Sequence, residues 1–197
     1  MDYAQKLKNW RCWDLEADNN WYAHSRLYDG ILQNPQELIA LCQWMESKDI
    51  QSYLEIGIWT GKLLCFLHEV FQFKTLAACD IGVSVLNGYE ILVPQQTQIL
   101  PTFSHSPAFL QWRTQLGQID LVMIDGDHSY EGVKRDFLIN RQFPHRFLVF
   151  HDIHNSDEAG LVQFWQELKG NKREIYFPDL TLRARMGIGI WSESESV

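Results

Sequence analysis

Cysteine, positive charge and long apolar runs are all scarce in this chain, and each shortage removes something. Only four cysteines occur, Cys12, Cys42, Cys65 and Cys79, and none forms a C-x-x-C pair. Their neighbours are apolar or aromatic, so they read as buried thiols of a reducing compartment. Lysine and arginine number 17 against 25 acids, a formal charge of −8. Binding a phosphate backbone draws on surplus cations, so no nucleic-acid partner is expected. A small anionic ligand held by backbone N–H groups stays open. No apolar run approaches a membrane span, so no membrane partner is expected. The first residues carry no apolar core of a secretory signal, and a cytoplasmic location is the expectation.

What is there is a globular composition. Hydrophobic residues make up 46% of 197 positions, enough for one domain with a full core. Residues 1–33 form an aromatic-rich cap segment holding Trp10, Trp13, Trp21, Tyr22 and Tyr28. Its roles divide between packing, a lid over the site and the surface of a homodimer. Residues 34–192 form the main domain, and 193–197 read as a frayed tail. At the domain's start Asn34 suits a helix cap, Pro35 the first helical position and Glu37 the capping-box position.

From residue 51 strands and helices alternate. QSYLEI, KTLAACD, QTQIL, IDLVMID and RFLVFHD read as strands, separated by helical patterns such as GKLLCFLHEVFQ and YEGVKRDFLINRQ. REIYF and GIGIW close the chain, joined by PDLTLRAR, too short for a crossover helix. The expected fold is α/β and doubly wound, a mostly parallel seven-stranded sheet with an antiparallel closing hairpin. The stripe in LVQFWQEL reads as core, and Arg183 and Arg185 as a solvated hairpin edge.

Ligands of such sheets bind beyond the carboxyl ends of the strands. In EIGIWTG, Gly57 and Gly61 bridge strand to helix, but the dinucleotide fingerprint G-x-G-x-x-G is missing because Trp59 holds its second glycine position. The glycines serve either close ligand approach or simple packing. Asp80 ends the second strand and suits either ribose hydroxyls or a helix cap. The fourth strand runs into Asp125, Asp127 and His128, a cluster that repels itself unless positive charge or hydrogen bonding compensates. Asp127 or Ser129 caps the next helix, and for Asp127 capping is favoured over a functional role. His128 has an imidazole whose ordinary pKa suits proton removal from a hydroxyl. His154 and Asn155 follow the fifth strand.

Taken in order, YLEIGIWTGKLL, CDIG, IDLVMIDGDHSYEGVKRDF and FLVFHDI resemble class I S-adenosylmethionine-dependent methyltransferases. The fourth-strand run is similar to the branch with an I-D-G-D-H-x-Y-E-x-V-x-x-D signature, and the resemblance covers about residues 34–192. It implies a Rossmann-like fold that binds S-adenosylmethionine. Glu55, Gly57, Ile58, Trp59 and Gly61 would face the cofactor's methionine part. Asp80 would hold the ribose, Ile81 would lie against the adenine, and Ser106 matches a further cofactor position. His105 stands where the family carries an acid. In related O-methyltransferases an acid after the fourth strand and a pair after the fifth hold a divalent metal. Asp125 matches the first place, and His151 with Asp152 the second. Carboxylates suit Mg2+, while the histidine suits a softer ion.

The reading is therefore methyl transfer to the hydroxyl of a small-molecule acceptor, metal-assisted, with His128, Asp125 and His151 as catalytic residues. Its rivals are a non-catalytic S-adenosylmethionine-binding module, a metal-dependent hydrolase using the acid and histidine cluster, and a NAD-linked enzyme on a similar sheet.

Overall fold

The computed structural model describes residues 1–10, 12, 30–86, 88–177 and 186–197. Trp13, Trp21, Tyr22 and Tyr28 of the cap segment, and the hairpin residues Arg183 and Arg185, lie outside the described residues. Seven strands form one sheet in the order β3-β2-β1-β4-β5-β7-β6. They are β1 (Ser52–Ile56), β2 (Thr75–Asp80), β3 (Gln98–Pro101), β4 (Ile119–Ile124), β5 (His145–His151), β6 (Asn171–Ile175) and β7 (Ile188–Ser192). Strands β1 to β5 pair in parallel, and β7 runs antiparallel to both β5 and β6. The closing pair is thus antiparallel as expected, with β7 inserted between β5 and β6.

Each strand alternates its side chains between two apolar layers. Tyr53, Ala78, Leu121, Met123, Phe147 and Val149 face the layer built by α1 (Tyr3–Leu7), α2 (Pro35–Ser47) and α3 (Lys62–Phe71). Leu54, Ala77, Val122, Ile124, Leu148 and Phe150 face the other layer. That layer is built by α5 (Pro107–Leu116), α6 (Tyr130–Asn140) and α7 (Ala159–Glu167), with Phe109, Val133, Phe137, Phe164 and Trp165 buried in it. The LVQFWQEL stripe is core. Between β2 and β3 the described residues make one helical turn, α4 (Val83–Leu86).

Local chemistry sets the helix starts. The Asn34 carboxamide accepts from the N–H groups of Gln36 and Glu37, with Pro35 in the first turn, as the sequence predicts. Glu37 departs from expectation. Rather than reaching back to close a capping box, its carboxylate accepts from Gly187 N at 2.9 Å and Phe177 N at 3.4 Å. It is 1% exposed and ties the start of α2 to the two ends of the β6–β7 connection. Ser129, not Asp127, caps α6, accepting from Gly132 N at 3.1 Å. Asp127 instead accepts from Ser129 N at 3.0 Å and shapes the turn into the cap. The tail is docked rather than frayed. Glu195 meets Arg146 at 2.9 and 3.2 Å, Glu193 pairs with Arg141, and the Ser196 carbonyl accepts from Lys48 Nζ at 2.6 Å.

Glu55 is the unexpected acid of the core. Strand alternation points it, like Tyr53, into the α2 and α3 layer, where Tyr53 Oη donates to it at 2.8 Å. Burial pushes its carboxyl up to about 8, against the opposing Tyr53 hydrogen bond. Folding therefore disfavours its ionised form, and stability falls as pH rises from the ordinary carboxyl range through about 8. Glu55→Gln removes that loss. The variant should match the parent near pH 4.5 and exceed it by on the order of 4 kcal/mol at pH 8 in urea unfolding. Glu37→Ala should cost about 3 kcal/mol in the same assay, because it strands two N–H groups, and Glu37→Gln about half as much.

Candidate active site

Three features gather at the carboxyl ends of β1, β2, β4 and β5: a crowded glycine turn, a cavity and a charged cluster. The turn after β1 is held from both sides. Gly57 N donates to Cys79 O at 2.9 Å, and Asp125 N donates to Ile56 O at 2.9 Å. A Cβ on Gly57 would sit 2.3 Å from Asp125 O, and the backbone φ is +82°. A Cβ on Gly61, at φ +80°, would sit 2.1 Å from Leu92 O. Both glycines are thus required by neighbouring backbone and by a left-handed conformation. Ile58, at 3% exposure, is packed in the α2 and α3 layer.

Asp80 serves the same turn. Its Oδ2 accepts from Ile58 N at 2.8 Å and Trp59 N at 3.3 Å, and its Oδ1 accepts from Gly82 N. The end of β2 therefore holds the β1–α3 turn in place while presenting a carboxylate to the cavity.

That cavity has a volume of about 590 Å3, within the range of small-ligand sites. Of the residues expected to bind cofactor, Gly57, Trp59, Asp80, Ile81 and Asp125 line it, joined by Phe103 and His105. Glu55, Ile58, Gly61 and Ser106 do not line it. Ser106 caps α5, accepting from Phe109 N at 3.1 Å. Asp136, which sequence reasoning passed over, also lines the cavity. It accepts from Ser104 Oγ, and burial pushes its carboxyl up to about 6.

Beside the cavity lies the charged cluster. Asp125 Oδ1 is 3.1 Å from His128 Nε2 and 3.3 Å from His151 Nδ1. Asp152 Oδ2 is 3.4 Å from His151 Nδ1 and 3.7 Å from His128 Nδ1, and Glu158 is 3.6 Å from the latter. The two imidazoles answer the repulsion among the acids. Burial alone would lower both histidines, but the carboxylates outweigh it and hold each at about 9. Burial likewise would raise Asp125, but His151 and His128 outweigh it and hold its carboxyl far below the ordinary range. At neutral pH both imidazoles therefore carry a proton. His128 is thus a stronger base than an ordinary imidazole, but one already protonated at neutral pH.

The sequence-predicted residues Asp125, His128, His151 and Asp152 are all brought together. His154 is not: it lies apart, 2.9 Å from Glu174 and stacked on Tyr176. Gln33 and Glu158 were missed. Gln33, 2% exposed, sits with Nε2 3.5 Å from Asp125 Oδ2.

A divalent ion fits this donor set. One ligand atom each from Asp125, His128 and Asp152 lie within 4.8 Å of one another. Asp152 Oδ1 is buried without a hydrogen-bond partner. The histidine in this group is His128, where the sequence pointed to His151; both imidazoles lie against the same two aspartates.

Among the described residues no helix is long and apolar enough to cross a membrane. No curated protein matches the chain. Solved structures similar to it include cofactor-bound Rv0187 from MTB, at 18% identity and TM-score 0.57, covering 92% of each chain. A putative O-methyltransferase from Klebsiella pneumoniae is similar at 14% identity and TM-score 0.57, covering 98% of this chain and 91% of its own. The O-methyltransferase from Bacillus cereus in complex with SAH is similar at 10% identity and TM-score 0.55, covering 96% and 90%. At these identities the likeness is one of fold. The family comes from residues 54–153, which match the model described as a methyltransferase domain. Those residues run from β1 through the cavity and the charged cluster to the end of β5, and on them the chain belongs to the methyltransferase-domain family.

Proposed function

We propose that the protein transfers the methyl group of S-adenosylmethionine to a hydroxyl of a small-molecule acceptor. The observation that carries this reading is the cavity itself, which in a methyltransferase-family chain runs from Asp80 to Asp125 and so ends against the charged cluster. Two similar structures are described as O-methyltransferases, one of them solved with SAH, which supports both the cofactor and an oxygen acceptor.

In this reading the nucleoside lies between Ile81 and Phe103, with the ribose near Asp80 and the sulfonium toward Gly57 and Asp125. The acceptor oxygen approaches in line from the cluster side. An O–CH3 bond forms as the S–CH3 bond breaks, S-adenosylhomocysteine leaves, and the hydroxyl proton passes to the cluster. The residues chiefly supply proximity and alignment. His128 stands between Asp125, Asp152 and Glu158 and takes the proton when it is itself neutral. His151, fixed by both aspartates, positions their carboxylates. With a divalent ion held by Asp125, His128 and Asp152, His128 would be a ligand rather than the base, and the ion would instead lower the pKa of a bound hydroxyl.

Titration calorimetry with S-adenosylhomocysteine tests the cofactor half. The parent chain should bind one equivalent, and Asp80→Ala should weaken binding at least about tenfold, through loss of one charged hydrogen-bonding group and of the turn it holds. Absence of binding in folded protein would sink the proposal. For the chemistry, acceptor hydroxyls are screened with S-adenosylmethionine. On the acceptor found, His128→Ala should lower kcat by about 100-fold or more while S-adenosylhomocysteine affinity stays within about twofold. An unchanged kcat would remove His128 from the proton path.

A further inference from the structure

Gln33 has no place in the fold that its burial explains. It precedes the Asn34 cap of α2, so neither helix nor strand hydrogen bonding requires its side chain. Yet it is 2% exposed, and its amide lies against Asp125, 92 residues away in sequence. Only one end of that amide is used, and weakly, at 3.5 Å. The other end, Oε1, is buried with no hydrogen-bond partner. A buried amide oxygen left bare costs about 1–3 kcal/mol, so a second purpose is indicated.

Two more bare atoms belong to the same cluster. Asp152 Oδ1 and His151 Nε2 are also buried without partners. Side chains bearing three of the unsatisfied buried atoms therefore converge on Asp125, and two of those atoms are oxygens. Oxygens need a donor or a cation. The Gln33 amide presents its N–H end to the Asp125 carboxylate. A half-turn of the terminal amide exchanges N for O in nearly the same place. That turn brings two oxygens side by side, which is favourable only with a positive ion between them.

We propose that Gln33 Oε1 is a fourth, neutral ligand to a divalent cation held by Asp125, His128 and Asp152. The inference rests on the metal-assisted form of the proposed function. It also assigns the residues just before α2 to the site, which the strand-end motifs do not. The set is two carboxylate oxygens, one amide oxygen and one imidazole nitrogen. Its charge is only −2, and the nitrogen favours Mn2+ or another first-row ion over Mg2+, which prefers oxygen alone. The separations of the three ligands other than Gln33 suit an ion: ligand atoms about 2.1–2.3 Å from one ion lie at most about 4.6 Å apart, and those of Asp125, His128 and Asp152 group within 4.8 Å. Gln33 joins them through its amide, 3.5 Å from Asp125.

The test is titration calorimetry of Mn2+ into the full chain, in chelator-stripped buffer, with S-adenosylhomocysteine affinity measured on the same samples. The parent should bind one Mn2+, and more tightly than Mg2+. Gln33→Leu should weaken Mn2+ binding by about tenfold or more, in line with ligand-sphere losses of that order. Gln33→Glu, which keeps an oxygen there, should bind at least as well as the parent, and a thermal melt of each variant checks folding. S-adenosylhomocysteine affinity should not move in either variant. Equal Mn2+ affinity in Gln33→Leu and the parent would overturn the assignment. So would the absence of any Mn2+ binding, and intact S-adenosylhomocysteine binding in that case would leave the methyl-transfer reading standing. Should Gln33→Leu fail to fold, weaker Mn2+ binding in Gln33→Glu than in the parent would equally overturn it.

Discussion

The contact on which the site depends is the one between the turn after β1 and the end of β4. Asp125 N donates to Ile56 O, Gly57 N donates to Cys79 O, and there is no room for even a methyl group at Gly57. Three adjacent strands are thereby locked at their carboxyl ends by backbone alone. Everything beyond follows from that lock. The Asp80 carboxylate can reach the N–H groups of Ile58 and Trp59 only because the turn is pressed down onto the sheet. Asp125 emerges at a fixed height above β4 because its own N–H is engaged. A side chain at residue 57 would push β1 and β4 apart, opening the cavity floor and moving Asp125 together.

Strand alternation then sorts the chemistry. Ile56 and Ile124 lean toward the layer of α5, α6 and α7, and the cavity opens on that side, lined by Gly132, Arg135 and Asp136 of α6. Asp125 and His151 come one residue after Ile124 and Phe150, so their side chains lean the opposite way, toward α2. This is why Gln33 and Glu37, flanking the Asn34 cap, meet the cluster and its surroundings. The cavity and the charged cluster thus occupy opposite sides of the sheet's edge. Asp125 belongs to both.

Most of the architecture was legible before any coordinates. The alternation of strand and helix patterns gave the seven-stranded sheet because buried parallel strands read as short continuous apolar runs, as IDLVMI does. The strand ends marked Asp80, Asp125, His128, His151 and Asp152, since ionisable residues that close an apolar strand have few structural uses. What escaped notice did so for physical reasons. Gln33 carries no pattern: a lone glutamine before a helix cap is ordinary, and its meaning depends on a contact 92 residues away. Glu37 fitted a local rule, the capping box, and was diverted by two stranded N–H groups of the β6–β7 connection. Glu55 looked like a cofactor contact because the family pattern places it beside the glycines, whereas alternation along β1 sends it into the core beside Tyr53. Asp127 lost the cap of α6 to Ser129, two residues later, because it was already bent back on the Ser129 N–H.

The charged cluster also explains how so many acids are tolerated beside an apolar sheet. Asp125, Asp152 and Glu158 surround His128, while Asp125 and Asp152 share His151. Each imidazole is held in its charged form by the acids around it, and Asp125 is held ionised by the imidazoles in turn. The arrangement is self-compensating, so the site can keep its shape before any ligand arrives. It also sets a condition on chemistry. A protonated His128 cannot accept a proton, and an Asp125 held far below the ordinary carboxyl range is a poor base. In the proposed methyl transfer to oxygen, which must shed a proton, something would therefore first have to displace the charge on His128. A second cation would do this: under the proposed function, a sulfonium arriving at the Asp125 end of the cavity would compete with the imidazolium for the same carboxylates. A cluster that compensates its own charge would, by that competition, be readied for proton transfer only once a cation had entered beside Asp125.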